Sequence, residues 1–403
     1  MNFVRDEQFF KNNFDLVRLI AAVLVVYGHA YAIMPPQQHD DLIKSIGFAP
    51  AHRVGLYMFF LVSGFLVTRA IERRPDYIFF IKSRLLRIVP GLFVSAIFAL
   101  LIVAPFSAWE INNISHWRDS ILFVVANTTM FFPIAGVDGF EIFQSNNLPK
   151  VINGSLWSIA LEARIYFFLL LLHVSRALSS SMVLKLSTYV VVGAVLFLNP
   201  TYLQINPDSI HLTCAMYFFV GSLSYQFRKY IPTSLIFPVI FLLLCVISGF
   251  GDYFPVEMRR FFVHVSIFFI VFSIAFGSRP IVLPGDYSYG IYLYAFPIQQ
   301  VVASEYPKIS PDQAFGLAML FILPAGVLSW HFVEFNMMKL KDKNLSDPLL
   351  FAFILFIVIN FFIAMYLLKS DISIAIALLI LAIILGKVVA LVNHKGRISR
   401  SAS

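Results

Sequence analysis

Two ionisable residues, Arg18 and His29, lie eleven positions apart in an apolar stretch near the start of the chain. At about 100° per residue, eleven steps return to within about 20° of the same face of an α-helix, and Asp15 shares that side. Charged groups inside a membrane are costly unless they are paired or face the protein interior. The spacing therefore predicts a polar stripe about 16 Å long that faces inward and runs from the cytoplasmic boundary to the outer half of the membrane. Alternatively, Arg18 reaches the membrane interface and His29 caps the other end of the helix.

A second candidate group contains Glu162 and Tyr166, which are four residues apart and share one helix face. By depth, Glu162 is expected to meet His29 in the outer half of the membrane, where a carboxylate would orient the imidazole and raise its basicity. The alternative is a structural ion pair of Glu162 with Arg164 or with Arg18.

A third group contains Arg84 and Arg87, one helical turn apart within a basic segment. Paired arginines suit phosphate groups, which they bind through bidentate hydrogen bonds. The alternative is that both residues are ordinary cytoplasmic anchors of a membrane helix. His331 and Glu334, near the end of a later helix, are expected to form a local pair.

Metal and thiol chemistry have little support. Cys214 and Cys245 both lie in apolar segments, which favours buried free thiols over a disulfide, a zinc site or a nucleophile. The sequence contains no H-E-x-x-H motif, no glycine-rich phosphate loop and no G-x-S-x-G motif. No metal site is expected.

The elements that position these residues must be membrane helices. The 403 residues are 59% hydrophobic and only 13% charged, which leaves too little polar surface to coat a soluble globule. The net charge of +8 is explained by the enrichment of lysine and arginine in cytoplasmic loops, so no nucleic-acid partner is predicted.

The hydropathy predicts an all-α, polytopic transmembrane bundle of about 12 spanning helices. The predicted spans are 14–34, 54–71, 88–106, 154–174, 183–199, 212–227, 234–250, 262–277, 287–304, 313–333, 349–368 and 372–392. The shorter run 120–133 is interpreted as re-entrant or interfacial. With a cytoplasmic N-terminus, most of the 30 lysines and arginines fall on the cytoplasmic side, which also places the C-terminus there. Residues 1–340 form the predicted core, and 341–403 add two helices and a short cytoplasmic tail.

Five segments, in this order, resemble the membrane-bound acyltransferase-3 family over roughly residues 10–340. They are Phe14-Asp15-Leu16-Val17-Arg18 with His29, Gly55 to Leu66, Arg84 to Pro90, Asn153 to Glu162 with Tyr166, and Asp286 to Tyr294. One departure is Ala295, which stands where many members carry a histidine.

The resemblance implies transfer of an acyl group, usually acetyl from acetyl-CoA as co-substrate, to a hydroxyl of a carbohydrate such as exopolysaccharide, O-antigen or a lipid-linked glycan. The expected location is the bacterial cytoplasmic (inner) membrane. The implied catalytic residues are His29, Glu162 and Arg18, and the implied donor-binding residues are Arg84, Arg87, Trp157, Ser63 and Tyr166. Two alternatives stay open: a glycan or lipid flippase that uses the same buried polar residues, and a structural partner in polysaccharide assembly. A homo-oligomer is equally open.

Overall fold

The computed structural model describes residues 12–34, 40–103, 105, 114–130, 132–136, 142–174, 210–249, 256–277, 279–344 and 348–368. Every regular element within these ranges is a helix, which confirms the all-α class for this part of the chain. The predicted spans 183–199 and 372–392 fall outside the described residues.

Twelve α-helices are labelled in the described part, and the short helical turns that follow the eleventh, one of them α-helical, are named separately. The twelve helices are α1 (Phe14–Ile33), α2 (Leu42–Ser45), α3 (Ala51–Arg73), α4 (Tyr77–Val103), α5 (Ile114–Thr128), α6 (Trp157–Val174), α7 (Ile210–Gln226), α8 (Ile236–Gly249), α9 (Val256–Gly277), α10 (Ser288–Glu305), α11 (Pro311–Ser329) and α12 (Pro348–Leu368). A π-helical turn, Trp330–Glu334, continues α11 and leads into the short turns Phe335–Met338 and Lys339–Asp342.

Five of these helical segments are long and apolar enough to cross a membrane. They are α1, α3, α4, most of α9, and the continuous helical stretch Pro311–Asp342. The total of about 12 spans and the side on which the termini lie stay predictions, as does the domain boundary at residue 340. Helix α5 has 15 residues and is therefore about 22 Å long, short of the about 30 Å needed to cross the bilayer core.

Helix α3 is the most deeply buried of the five apolar segments and forms the centre of the bundle. Glycines bring its neighbours into backbone contact, because a Cβ at Gly64 would overlap the Phe218 carbonyl and one at Gly221 would overlap the Leu61 carbonyl. Small residues commonly permit such close approach between membrane helices. The resulting α3–α7 contact is fixed by a 2.6 Å hydrogen bond between the hydroxyls of Thr68 and Ser222.

The segment before α6 enters the bundle without helical structure. The Asn146 side chain donates to the Gln300 carbonyl (2.9 Å), and further along the chain the Asn153 side chain donates to the Leu293 carbonyl (3.1 Å). Gln300 and Leu293 are seven residues apart on α10, or about 10 Å. The segment thus follows α10 into the protein interior, where side-chain amides satisfy backbone groups that lipid could not.

Helix α6 consequently begins part-way into the bundle. Ser158, in its first turn, hydrogen-bonds the Tyr292 hydroxyl at 2.5 Å, and Tyr292 lies only one turn beyond the start of α10. The predicted span 154–174, counted from a membrane surface, therefore gave Glu162 the wrong depth. Helix α4 also differs from its predicted span: it begins at Tyr77 rather than at 88, so Arg84 and Arg87 lie well inside the helix.

Candidate active site

Two arginines share one carboxylate where α1, α4 and α10 meet. The Arg18 guanidinium lies 2.9 Å from Asp286 Oδ2 and 2.5 Å from Asp15, and Arg87 pairs with the same Asp286 oxygen. The other side of Arg87 faces Glu334 at 3.4 Å. We call Arg18, Arg87, Asp286 and Glu334 the charge network.

Local structure fixes the two carboxylates of the charge network. Asp286 lies two residues before the first residue of α10, and its Oδ1 accepts a 2.7 Å hydrogen bond from the Ser288 hydroxyl. Glu334 ends the π-helical turn, is fully buried, and accepts a 2.9 Å hydrogen bond from Ser329. The predicted local pair of Glu334 with His331 is wrong, because the π turn directs Glu334 toward α4 while His331 contacts the Tyr287 hydroxyl at 3.3 Å.

The charge of Asp286 is set by opposing effects. Burial alone would raise the pKa of this carboxyl, but the adjacent Arg18 and Arg87 outweigh burial and hold the pKa below its ordinary value. Asp286 is therefore ionised at neutral pH and ties α1 to α4 electrostatically.

A second group, the Glu162 cluster, contains Ser63, Glu162, Tyr166 and Arg84. Glu162 Oε1 accepts hydrogen bonds from the Ser63 and Tyr166 hydroxyls, which lie 2.6 Å from each other. The Arg84 guanidinium lies 5.6 Å from the centre of the Tyr166 ring. Arg84 Nε is buried and has no hydrogen-bond partner among the described residues.

His29 lies in a different place, with His52 as its neighbour. The two imidazole rings stack at 5.6 Å between centres with an interplanar angle of 27°. The Phe296 ring also packs against His29, with 5.3 Å between ring centres and an interplanar angle of 79°. The sequence analysis did not identify His52 as a site residue. Its role depends on the contact between the first turn of α3 and the last turns of α1, which the sequence pattern does not reveal.

The predicted meeting of Glu162 with His29 is wrong. On α3, His52 faces His29, whereas Ser63, which donates to Glu162, follows eleven residues later. Eleven residues correspond to about 16 Å along the helix. The physical reason is that α6 begins part-way into the bundle, which places Glu162 at the level of the arginines. Arg18 is likewise eleven residues from His29 on α1. Both helices therefore place the histidines and the arginine level about 16 Å apart.

Comparisons with known proteins identify the family of this chain. The family profile described as an acyltransferase domain matches residues 11–333. This chain belongs to the acyltransferase-3 family. Over 344 residues it is 26% identical to the O-acetyl transferase of Shigella phage Sf6, covering 83% of this chain and 98% of that protein. It is 40% identical over 88 residues to Nodulation protein 10 of Rhizobium leguminosarum bv. viciae, covering 21% of this chain and 23% of that protein. No solved structure matches significantly. The chain is therefore a membrane acyltransferase.

The remaining predicted residues of this acyltransferase occupy separate places. Trp157, at the first position of α6, packs against His211 with 4.3 Å between ring centres and lies five residues before Glu162. Ala295 is buried within α10, so no histidine is present at that position to assist the site. Within the described ranges, no group of three or more histidine, cysteine, aspartate or glutamate side chains is arranged to hold a metal ion.

The candidate site therefore has two layers. The arginine layer joins the charge network to the Glu162 cluster and supplies cations and hydroxyl donors. The histidine layer, about 16 Å away along α1 and α3, supplies the two imidazoles. Sequence reasoning named Asp286 only within a segment noted for its resemblance and Glu334 only as a partner of His331. It missed their pairing with the arginines, which for Glu334 depends on a π turn that has no sequence signature here.

Proposed function

We propose that this acyltransferase moves an acetyl group from acetyl-CoA to a hydroxyl of a carbohydrate, such as a surface polysaccharide or a lipid-linked glycan, in a bacterial cytoplasmic membrane. The family and the O-acetyl transferase relative support acyl transfer to oxygen. The observation that carries the proposal is the two-layer arrangement, with cations at one end of α1 and an imidazole pair at the other.

Arg84 is the proposed anchor for the phosphate groups of the donor. Arg18 and Arg87 are both neutralised by carboxylates, whereas no carboxylate pairs with Arg84 among the described residues. Its buried, unpartnered Nε fits an anionic ligand, since buried polar groups generally find partners. The charge network then holds α1, α4 and α10 in position around this anchor. The hydrogen bonds of the Tyr166 hydroxyl with Ser63 and Glu162 fix the Tyr166 ring, which lies beneath the Arg84 guanidinium.

His29 is the proposed general base. Its imidazole takes the proton of the acceptor hydroxyl as that oxygen attacks the thioester carbonyl. The new carbon–oxygen ester bond forms, the carbon–sulfur bond breaks, and the leaving thiolate receives the proton from His29. The long arm between the phosphates and the thioester of CoA suits the separation of about 16 Å between the two layers.

The test is acyl transfer by purified protein supplied with acetyl-labelled acetyl-CoA and candidate glycans. Wild-type protein is expected to label a glycan, and His29→Ala to lose at least about a hundredfold in rate while reaching the membrane normally. His264→Gln is the matched control, because His264 bonds only the Tyr217 hydroxyl among the described side chains and lies outside both layers.

Full transfer by the His29→Ala protein would overturn the assigned role of His29. Movement of a glycan across a vesicle membrane without consumption of acetyl-CoA would instead support the flippase alternative. Labelled acetyl-histidine trapped in the wild-type protein would replace direct transfer by a covalent step at the same residue.

A further inference from the structure

His52 is brought to His29 by a close contact between α1 and α3. A Cβ at Gly28 would overlap the backbone nitrogen of His52, so only glycine allows the first turn of α3 to approach this closely. Asp41 fixes the same turn, because its carboxylate accepts the Ala51 N–H at 3.2 Å. The position of His52 is therefore determined by backbone contacts and a cap, and the ring stacking follows from them.

Both imidazoles are incompletely satisfied. Nδ1 of His29 and Nδ1 of His52 are buried and have no hydrogen-bond partner among the described residues. Buried polar atoms in native proteins are nearly always paired, and one left unpaired costs about 1–3 kcal/mol. Two such atoms on rings 5.6 Å apart indicate a ligand that offers hydrogen-bonding groups to both rings.

The pair is also close to one end of the bundle. His29 lies four residues before the end of α1, and His52 is the second residue of α3, so both are within about 6 Å of a helix end. Both side chains are only partly buried. A polar substrate that approaches from this side of the membrane can reach the rings without crossing the apolar layer.

We propose that His52 is a second substrate-binding histidine, which hydrogen-bonds a hydroxyl group of the carbohydrate acceptor next to the hydroxyl that reacts at His29. The ligand class follows from the chemistry, because neighbouring hydroxyls on one sugar ring can each donate to one imidazole nitrogen. This inference rests on the proposed acyl transfer at His29, and it assigns His52 to binding of the acceptor and not to binding of the donor.

The experiment measures initial transfer rates with acetyl-CoA saturating and the acceptor varied. The acceptor probes are the methyl glycosides of glucose, galactose and mannose, together with their monodeoxy analogues. His52→Ala is expected to raise the acceptor KM about tenfold, as for loss of one hydrogen bond, with the KM for acetyl-CoA within about twofold of wild type. His52→Gln, which keeps a hydrogen-bonding group, is expected to recover part of the loss, and His264→Gln to behave as wild type.

The deoxy probes give the decisive comparison. One monodeoxy analogue should bind wild-type protein about tenfold more weakly than its parent glycoside, and the two should be equivalent for His52→Ala. An unchanged acceptor KM in His52→Ala, while His29→Ala is inactive, would overturn this inference and leave the proposed function standing. An increase in donor KM, or equal losses for every probe, would also overturn it, because those results indicate a structural role. Full activity of His29→Ala, or no transfer to any glycoside or polysaccharide by wild-type protein, would count against the proposed function itself.

Discussion

Replacing Asp286 with asparagine removes the charge that Arg18 and Arg87 share. Asparagine has nearly the same shape and can still accept a hydrogen bond, so the substitution isolates the electrostatic part of the contact. The Asp286 side chain is 12% exposed, that of Arg87 14% and that of Arg18 26%, so water compensates little for the lost charge.

The size of the effect follows from what each arginine keeps. Removing one partner of a buried ion pair typically costs about 3–5 kcal/mol, because the other charge stays buried. Arg87 retains Glu334 and Arg18 retains Asp15, which places Asp286→Asn at the low end, at about 3 kcal/mol of unfolding free energy. That value corresponds to more than a hundredfold change in the unfolded population.

The two free cysteines provide the assay. Cys214 and Cys245 are buried, so a thiol-reactive dye labels them in detergent-solubilised protein only when the bundle opens. When opening and closing are fast relative to labelling, the labelling rate follows the open population. Asp286→Asn is therefore expected to label at least about a hundredfold faster than wild type.

Asp15→Asn is the matched control for this prediction. Asp15 pairs with the same arginine, Arg18, but is 58% exposed, so its loss should cost no more than about 1 kcal/mol. If Asp286→Asn and Asp15→Asn labelled at similar rates, the assignment of Asp286 as the shared buried counter-ion would be refuted.

Three further predictions use the same labelling assay. Because the pKa of Asp286 is held below its ordinary value, its charge stabilises the fold above about pH 4, and this stabilisation is lost as the pH falls through the lowered pKa. The difference in unfolding free energy between wild type and Asp286→Asn should therefore be constant from pH 7 to 5 and shrink below about pH 4. Gly64→Ala should cost about 1–3 kcal/mol because its Cβ would overlap the α7 backbone, whereas Gly316→Ala, with open space around it, should be neutral or slightly stabilising. Tyr166→Phe should cost about 1.5–3 kcal/mol through loss of its hydrogen bond to Glu162, with CoA affinity within about twofold of wild type because the ring is retained.

Each of these predictions has a contradicting outcome. If the difference in unfolding free energy between wild type and Asp286→Asn widened below pH 4, Asp286 would not be the group whose charge is lost. Equal costs for Gly64→Ala and Gly316→Ala would show that the α3–α7 contact tolerates a methyl group. Wild-type stability of Tyr166→Phe would remove Tyr166 from the hydrogen-bonded cluster.

Helical periodicity was enough to predict several features of the site. The spacing of Asp15, Arg18 and His29 depends only on the turn angle of one helix, and the Asp15–Arg18 pair forms at 2.5 Å as that spacing indicates. The contact between Glu162 and Tyr166 is likewise local, four residues apart on α6. Features set within one continuous helix could therefore be derived from the sequence.

Contacts between elements could not be derived in the same way. The depth of Glu162 depends on where α6 begins, and that point is set by amide side chains, such as Asn153, that hold a non-helical segment against α10. The role of Asp286 depends on a loop that brings α10 to α1 and α4, and that of Glu334 depends on a π turn. Hydropathy identifies the apolar segments in or near which these residues lie, but it carries no information about which helices meet.

The proposed mechanism divides the reaction between the arginine layer, which binds the donor, and the histidine layer, which transfers the acetyl group. The most direct test is equilibrium binding of CoA to the His29→Ala protein, with Arg84→Gln measured beside it. We expect His29→Ala to bind CoA within about twofold of wild type although it transfers no acetyl group. We expect Arg84→Gln to bind CoA at least about tenfold more weakly, as for loss of one charge-assisted contact. Loss of CoA binding in His29→Ala, or wild-type affinity in Arg84→Gln, would contradict the proposed mechanism.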